Sequence, residues 1–373
     1  MKHLYLFLLL LPFSFFAQTP ETVDATGNVG DYTSLAVVGG QPAISYYDSS
    51  NDELKYARYD GTSWVTETVD ATGDVGRQTS LAVVGGQPAI SYWDFTNNDL
   101  KYARFNGTSW VAETVDATGN VGIYTSLAVV GGQPAISYFD RTNFDLKYAR
   151  FNGTSWVTET VDATGIVGRH TSLAVVGGQP AISYYDATND DLKYAHYNGV
   201  SWDIETVDAP GNVGEYTSLA VVGGQPAISY YDATNGDLKY ARFNGTSWAV
   251  EIVDATGNVG QYTSLAVVDG QLVISYYDVT NEDLKYARFN GTSWVTETVD
   301  APGNVGLYTS LAVVGGRPAI SYYDLTNRDL KYVLLPPPSV PTMGQWAFFL
   351  FGLVVFTLGV VGIYNARKRG VLN

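Results

Sequence analysis

Glu297 to Leu335 reads ETVDAPGNVGLYTSLAVVGGRPAISYYDLTNRDLKYVLL, a unit that stops short. The string Glu-Thr-Val-Asp that opens it also begins at Glu21, Glu67, Glu113, Glu159 and Glu205, and Glu251 opens the variant Glu-Ile-Val-Asp. The spacing is 46 residues throughout, so six units are complete over 21–296 and the seventh lacks its end. A fixed period of 40 to 50 without a helical pattern points to a propeller, because solenoids of that period are usually helical.

Turn chemistry divides each unit into four strands. In the first, TSLAVV at Thr33–Val38 ends in Gly39-Gly40, which supplies the positive φ angles of a tight hairpin. AISYYD at Ala43–Asp48 follows and is closed by the polar loop Ser49-Ser50-Asn51-Asp52, then LKYARY at Leu54–Tyr59 ends in Asp60-Gly61. WVTETV at Trp64–Val69 is the fourth. No stretch of the repeat carries a 3.6-residue period, so helix is expected only at the two ends.

The truncation distinguishes an open array from a closed ring. Unit seven has three strands, Thr309–Val314, Ala319–Asp324 and Leu330–Leu334, but no Asn-Gly-Thr-Ser-Trp turn and no fourth strand. Thr19-Pro20-Glu21-Thr22-Val23-Asp24 at the other end is the missing strand. Donated to the last unit, it completes seven four-stranded blades, and Pro20 fits an outermost strand whose lost donor faces water. An open solenoid gains nothing from a matched deficit and surplus. The expected fold is all-β, one seven-bladed propeller over residues 18–335, with Tyr, Ile, Leu and Val packing between blades against small Ala and Ser. Of the 28 Tyr, 26 fall in this region and are read first as filler between blades.

The 373 residues carry 21 Lys and Arg against 37 Asp and Glu, a formal charge of −16. Such acidity repels phosphate backbones, so nucleic acid is not expected as a partner. With no Cys and three His, disulfides, thiolate metal sites and a cysteine nucleophile are excluded and no metal site is assigned.

The ends read as addresses. Residues 1–17, MKHLYLFLLLLPFSFFA, form a secretory signal peptide with its cut between Ala17 and Gln18. Residues 336–345 are a Pro-rich linker, 346–364 run 19 residues without a charge, and 365–373 hold Arg367, Lys368 and Arg369. At ~1.5 Å per residue, Trp346–Tyr364 cover about 28 Å as a helix, the thickness of a hydrocarbon core, and the basic end stays cytoplasmic. Removing Lys2 and the three basic tail residues leaves 17 basic against 37 acidic residues, −20 on the exported part.

Val340, Pro341, Thr342, Met343 and Trp346 sit just before that span. The last 35 or so residues resemble the bacterial IPTL-type C-terminal protein-sorting domain, whose Ile-Pro-Thr-Leu-x-x-Trp motif precedes a span and a basic end; Val340 and Met343 are the departures. The resemblance implies export across the inner membrane, insertion through the tail helix, then handling by a sorting enzyme at the surface or outer envelope of a bacterium. Within the repeats, the order of double Gly, Tyr and Trp resembles kelch, although the kelch spacing is not kept. Asn-Gly-Thr-Ser-Trp resembles the sialidase Asp-box hairpin without its Asp. The whole unit resembles bacterial exported repeats of the Ser-Tyr-Tyr-Asp type.

Three positions differ from copy to copy. The residue after Val-Gly is Asp31, Arg77, Ile123, Arg169, Glu215, Gln261 and Leu307 in turn. After the Tyr-Tyr-Asp strand come Ser49, Phe95, Arg141, Ala187, Ala233, Val279 and Leu325, and after the loop Asn come Asp52, Asn98, Phe144, Asp190, Gly236, Glu282 and Arg328. They are read as lying in the connection entering the innermost strand and in the loop between strands two and three, which emerge on one face. That variable rim around the channel mouth is the expected ligand site, with Gln78 and His170 as further breaks in the repeat; drift of tolerant surface loops explains the same variation.

Arg77, Arg141 and Arg169 suit a carboxylate clamp, but no unusual carboxylate or nucleophile pair is read beside them, and His196 is read as a tolerated replacement of Arg. Asp186 to Asp191 has the oxygen-rich spacing of a calcium loop without its distal Glu, and Asx-turn chemistry explains the same residues. Asn106, Asn152, Asn244 and Asn290 fit a glycosylation sequon but read as turns. No cofactor is assigned. The expected function is therefore a non-catalytic, surface-anchored propeller binding an extracellular glycan or protein. A secreted sialidase-like hydrolase and a structural spacer are the alternatives.

Overall fold

The structure is a computed structural model that describes residues 19–337; the expected signal peptide with its cut between Ala17 and Gln18, the expected sorting motif and the expected span over 346–364 lie outside the described residues. All described regular elements are strands, twenty-eight of them in seven four-stranded antiparallel sheets. Blades 1 to 6 occupy 29–70, 75–116, 121–162, 167–208, 213–254 and 259–300. Blade 7 takes Val305–Val314, Arg317–Asp324 and Asp329–Leu334, and its outermost strand is Glu21–Asp24, with Glu21 opposite Tyr332 and Thr22 opposite Lys331. The ring is closed by the strand donated from the other end of the chain.

The repeated strings recur because each blade needs the next. The Asp closing a fourth strand is taken up by the following blade: Asp70 accepts from Tyr92 Oη at 2.6 Å and pairs with Lys101 Nζ at 2.5 Å. The same bridge joins Asp24 to Tyr46 and Lys55 across the closure, at 2.7 and 2.6 Å. Six aspartates, Asp24, Asp70, Asp116, Asp162, Asp208 and Asp254, are paired with a lysine of the next blade in this way. Beneath the bridges, Ala43, Leu54 and Tyr56 of blade 1 pack on Val75, Leu81, Ile90 and Tyr92 of blade 2. Nearer the axis, Thr125 Oγ1 donates to Ser91 Oγ at 2.7 Å and Ser80 Oγ accepts from Leu127 N at 3.0 Å, so the polar residues of Thr-Ser-Leu also serve the junctions.

The innermost strand departs from the sequence reading. It begins at Val29, four residues earlier than expected, and carries two irregularities: Val29 and Asp31 face the adjacent residues Asp48 and Tyr47, and Ser34 faces Ser45. Each leaves one extra residue on the inner strand, which bends it and re-aims its side chains. The first bulge requires glycine: a Cβ on Gly76, at φ +99°, would lie 2.6 Å from Leu54 Cα of the preceding blade.

Candidate functional site

The second bulge places a bulky residue of every blade in the left-handed region. Tyr32, Gln78, Tyr124, His170, Tyr216, Tyr262 and Tyr308 have φ between +53° and +57°. Such angles are uncommon for large side chains and hold only where the surroundings over-determine them. Here they turn seven side chains onto the axis, around a cavity of about 220 Å³ backed by the following threonines, Thr33 to Thr309. Neighbouring rings lie 4.4–4.6 Å apart from Tyr124 through His170, Tyr216, Tyr262 and Tyr308 to Tyr32. Gln78 fills the remaining place and accepts from Tyr124 N. Burial, with the Arg169 charge beside it, pushes the His170 imidazole down to about 3, so it stays neutral.

These five tyrosines correct the expectation that tyrosine serves as inter-blade filler. That expectation does describe Tyr46, Tyr92, Tyr138 and their copies, which are fully buried.

Asp31 and its counterparts are also relocated. They lie inside the innermost strand, between the two bulges, each opposite the aromatic residue of strand two: Asp31 opposite Tyr47, Arg77 opposite Trp93, Ile123 opposite Phe139. The other two variable sets do lie in loops, and these share a face with the inter-blade connection. Ser49 N donates to Asn28 O at 2.9 Å, and Thr96 Oγ1 accepts from Asp74 N at 2.8 Å.

On this rim, blades 2 and 3 differ from the rest. Elsewhere the aromatic residue of strand two is a Tyr whose hydroxyl reaches a loop residue: Asp52 and Asp74 for Tyr47, Asp190 for Tyr185, Asn258 for Tyr231, Asn304 for Tyr277 and Asn28 for Tyr323. Blades 2 and 3 carry Trp93 and Phe139 instead, and the loop residue after Phe139 is Ile166. Trp93, Ile123 and Phe139 form an apolar cluster against Tyr124 and Ile166. Phe95 and Phe144 stand beside it, 44% and 43% exposed. Arg77 lies 4.3 Å from the Phe95 ring and Arg169 5.8 Å from that of Phe139. The Trp93 indole nitrogen and the Asn120 side-chain oxygen are buried without protein partners.

Of the three arginines read as a clamp, Arg77 is already engaged by a carboxylate. Arg77 is held by Asp74 through Nε at 2.9 Å and Nη2 at 2.6 Å, whereas Arg141 and Arg169 have no carboxylate within 4 Å among the described residues. Asp74 is a break in the repeat that sequence reading missed; the signal was there, since every other copy has Asn or Ile at that place. Gln261 belongs to blade 6, Leu307 and Arg328 to blade 7, and none of them takes part in that cluster.

No protein-family model matches the sequence, and no curated protein does. Solved structures match in fold. The SapL1 lectin, determined with α-methyl fucoside, is similar with a TM-score of 0.53 at 13% identity, covering 74% of this chain and 98% of its own. YCF48 from Cyanidioschyzon merolae gives 0.57 at 10%, covering 84% and 98%. The β-propeller domain of Cps50 (Swd1) from Myceliophthora thermophila gives 0.56 at 11%, covering 86% and 100%. At these identities the likeness establishes the propeller fold alone.

Two rim carboxyls have unusual surroundings, against the expectation of none. Burial raises Asp31 to about 6 although a hydrogen bond from Ser49 and the Arg77 charge oppose it. Burial also raises Glu215, against Arg169. The calcium-like loop has its oxygens engaged: Asp186 accepts from Thr188 N, Asn189 N and Asn189 Nδ2 at 2.9–3.2 Å, and Lys193 lies 3.7 Å away. The sequon asparagines are turn residues, with Asn106 Oδ1 accepting from Thr108 N and Ser109 N.

Proposed function

We propose that the chain is a non-catalytic recognition propeller, exported and held at a bacterial envelope by its tail, that binds an extracellular glycan on its variable rim. The observation that carries this reading is the sector of blades 2 to 4. There the Tyr-to-loop hydrogen bonds are replaced by Trp93, Phe139 and Ile166, leaving Phe95 and Phe144 exposed, with Arg77 against the Phe95 ring and Arg169 near that of Phe139. Exposed aromatic faces with nearby donors suit a sugar ring, which presents C–H faces and hydroxyls. The fold accommodates a saccharide in a similar propeller, the SapL1 lectin. A glycan array probed with the full-length chain, alongside envelope proteins as the other ligand class, tests it. Binding should fall ~10-fold or more in Arg141→Ala/Arg169→Ala and in Phe95→Ala/Phe144→Ala. Binding to no glycan and no protein favours the spacer reading.

Asp31 favours a second reading as a hydrolase, because a carboxyl raised to about 6 suits a general acid. Release of sugar from labelled polymers, lost in Asp31→Asn, would establish it. Export and anchoring rest on the terminal sequences; recovery of the chain in the membrane fraction, and its loss from that fraction when 336–373 are deleted, tests them.

A further inference from the structure

The opposite face, where the Gly-Gly and Asn-Gly turns emerge, carries grooves between blades. The one between blades 2 and 3 has a volume of about 470 Å³, within the range of small-ligand sites, roughly 300–1,000 Å³. Blade 2 supplies Tyr102, Arg104 and Glu113, and blade 3 supplies the wall, Trp156. The Trp156 indole packs edge-on against Tyr102 with ring centres 5.1 Å apart and donates from Nε1 to Glu113 at 2.9 Å. Tyr102 is 4% exposed and its hydroxyl has no hydrogen-bond partner. That hydroxyl is itself shielded, so the groove offers a ligand Arg104, Glu113 and the Trp156 indole.

The same four residues recur around Tyr56, Tyr148 and Tyr240, each with Arg two positions on, Glu on the neighbouring strand and Trp from the next blade. Each of those tyrosine hydroxyls is likewise buried without a partner. The other three junctions are incomplete. Between blades 4 and 5 a groove of about 460 Å³ has His196 for Arg and Asp203 for Val; blade 7 supplies no Trp to blade 6 and has Leu334 for Arg. The hydroxyls of Tyr194 and Tyr332, where Arg is replaced, are absent from the partnerless set, whereas that of Tyr286, whose junction keeps Arg288 but has no Trp, belongs to it, so the buried hydroxyl follows the Arg and not the whole groove.

Charge selects the ligand class. Every complete groove holds one guanidinium and one carboxylate, so an anion or a cation gains from one and is repelled by the other, and a hydrocarbon would desolvate both. A ring with one apolar C–H face and several hydroxyls meets all the groups at once: the face lies on the indole, and the hydroxyls accept from Arg and donate to Glu. We infer that the four complete grooves are equivalent binding sites for a neutral saccharide, which makes the chain multivalent toward a surface that repeats that sugar. Linked equivalent sites raise avidity by ~10²–10⁴ over a single site.

Full-length chain is screened against immobilised neutral monosaccharides and their sialylated and uronic-acid counterparts, then titrated with the best neutral sugar while tryptophan emission is followed. The expected result is about four equivalents bound, a shift of tryptophan emission, and three equivalents in Arg104→Ala. The variant Arg58→Ala/Arg104→Ala/Arg150→Ala/Arg242→Ala should lose retention on the sugar-coated surface by ~10²-fold, whereas Val200→Thr, at an exposed turn outside the grooves, should leave it unchanged. His196→Arg/Asp203→Val should add a fifth equivalent, a gain that misfolding cannot produce. The inference is overturned if no neutral sugar binds, if one equivalent binds, or if the arginine variants keep the wild-type count.

Discussion

One rim position is occupied by Asp31, Arg77, Ile123, Arg169, Glu215, Gln261 and Leu307, while one groove position on the other face holds Arg58, Arg104, Arg150, His196, Arg242, Arg288 and Leu334. Both positions lie on strands, so exposure of a loop does not explain the contrast. The rim residue faces a neighbour that can change with it, as Phe139 and Ile166 do together. The groove residue is tied to backbone, Arg104 Nη2 donating to Val84 O at 3.0 Å, and to a tyrosine that blade packing fixes. Copies diverge where a change can be matched locally and stay alike where one side chain serves a junction.

Breaking a junction should cost most. Asp116→Ala strands Lys147 and Tyr138, which now reach it at 2.5 and 2.7 Å, and should lower unfolding free energy by about 3–5 kcal/mol in urea titrations. In the native chain, burial alone would raise Asp116, but Lys147, Thr118 and Tyr138 outweigh it and hold it at about 2. Its contribution is therefore complete above the ordinary carboxylate value of 3.8 and is lost as pH falls toward 2.

Next in size is a glycine on each face. Gly76→Ala forces a Cβ against Leu54 backbone and should cost about 3 kcal/mol, whereas Gly86→Ala, with nothing within 4 Å, should cost only about 1 kcal/mol for its positive φ. Equal losses in thermal melts would remove the distinction between a packed rim and open turns.

Asp31→Asn should act mainly through pH. The unfolded chain releases this proton near 3.8 and the folded chain near 6, so the native group makes stability fall as pH rises from about 4 to 6. The variant should show a flatter stability profile over that window, and an unchanged slope would mean that Asp31 is not buried as described. The smallest stability effect is expected for Phe139→Tyr/Ile166→Asn, which restores the hydroxyl-to-loop link of the other blades. It should change stability by no more than about 1 kcal/mol yet abolish glycan binding at the rim.

Much of this was legible in one chain because the repeats act as their own alignment. The 46-residue period, four strands per unit and the donated strand Glu21–Asp24 all follow from spacing and turn residues. Gln78 and His170 stood out as exceptions, and both lie on the axis. Their orientation was not legible, since Tyr32 and its counterparts carry no glycine-like signal for a positive φ; neighbouring blades impose it. The groove was equally hidden, because Tyr102 and Trp156 are 54 positions apart and belong to different units.

By itself, then, the sequence determined the count of blades, their order and the way the ring closes, because strand and turn propensities act within a few residues and the period repeats them. Only the tertiary structure decided what the recurrent Asp, Tyr and Lys are for, where the bulges aim the axial ring, and which side chains meet between blades. Those outcomes depend on contacts made across a junction, and a junction exists only once two blades have packed.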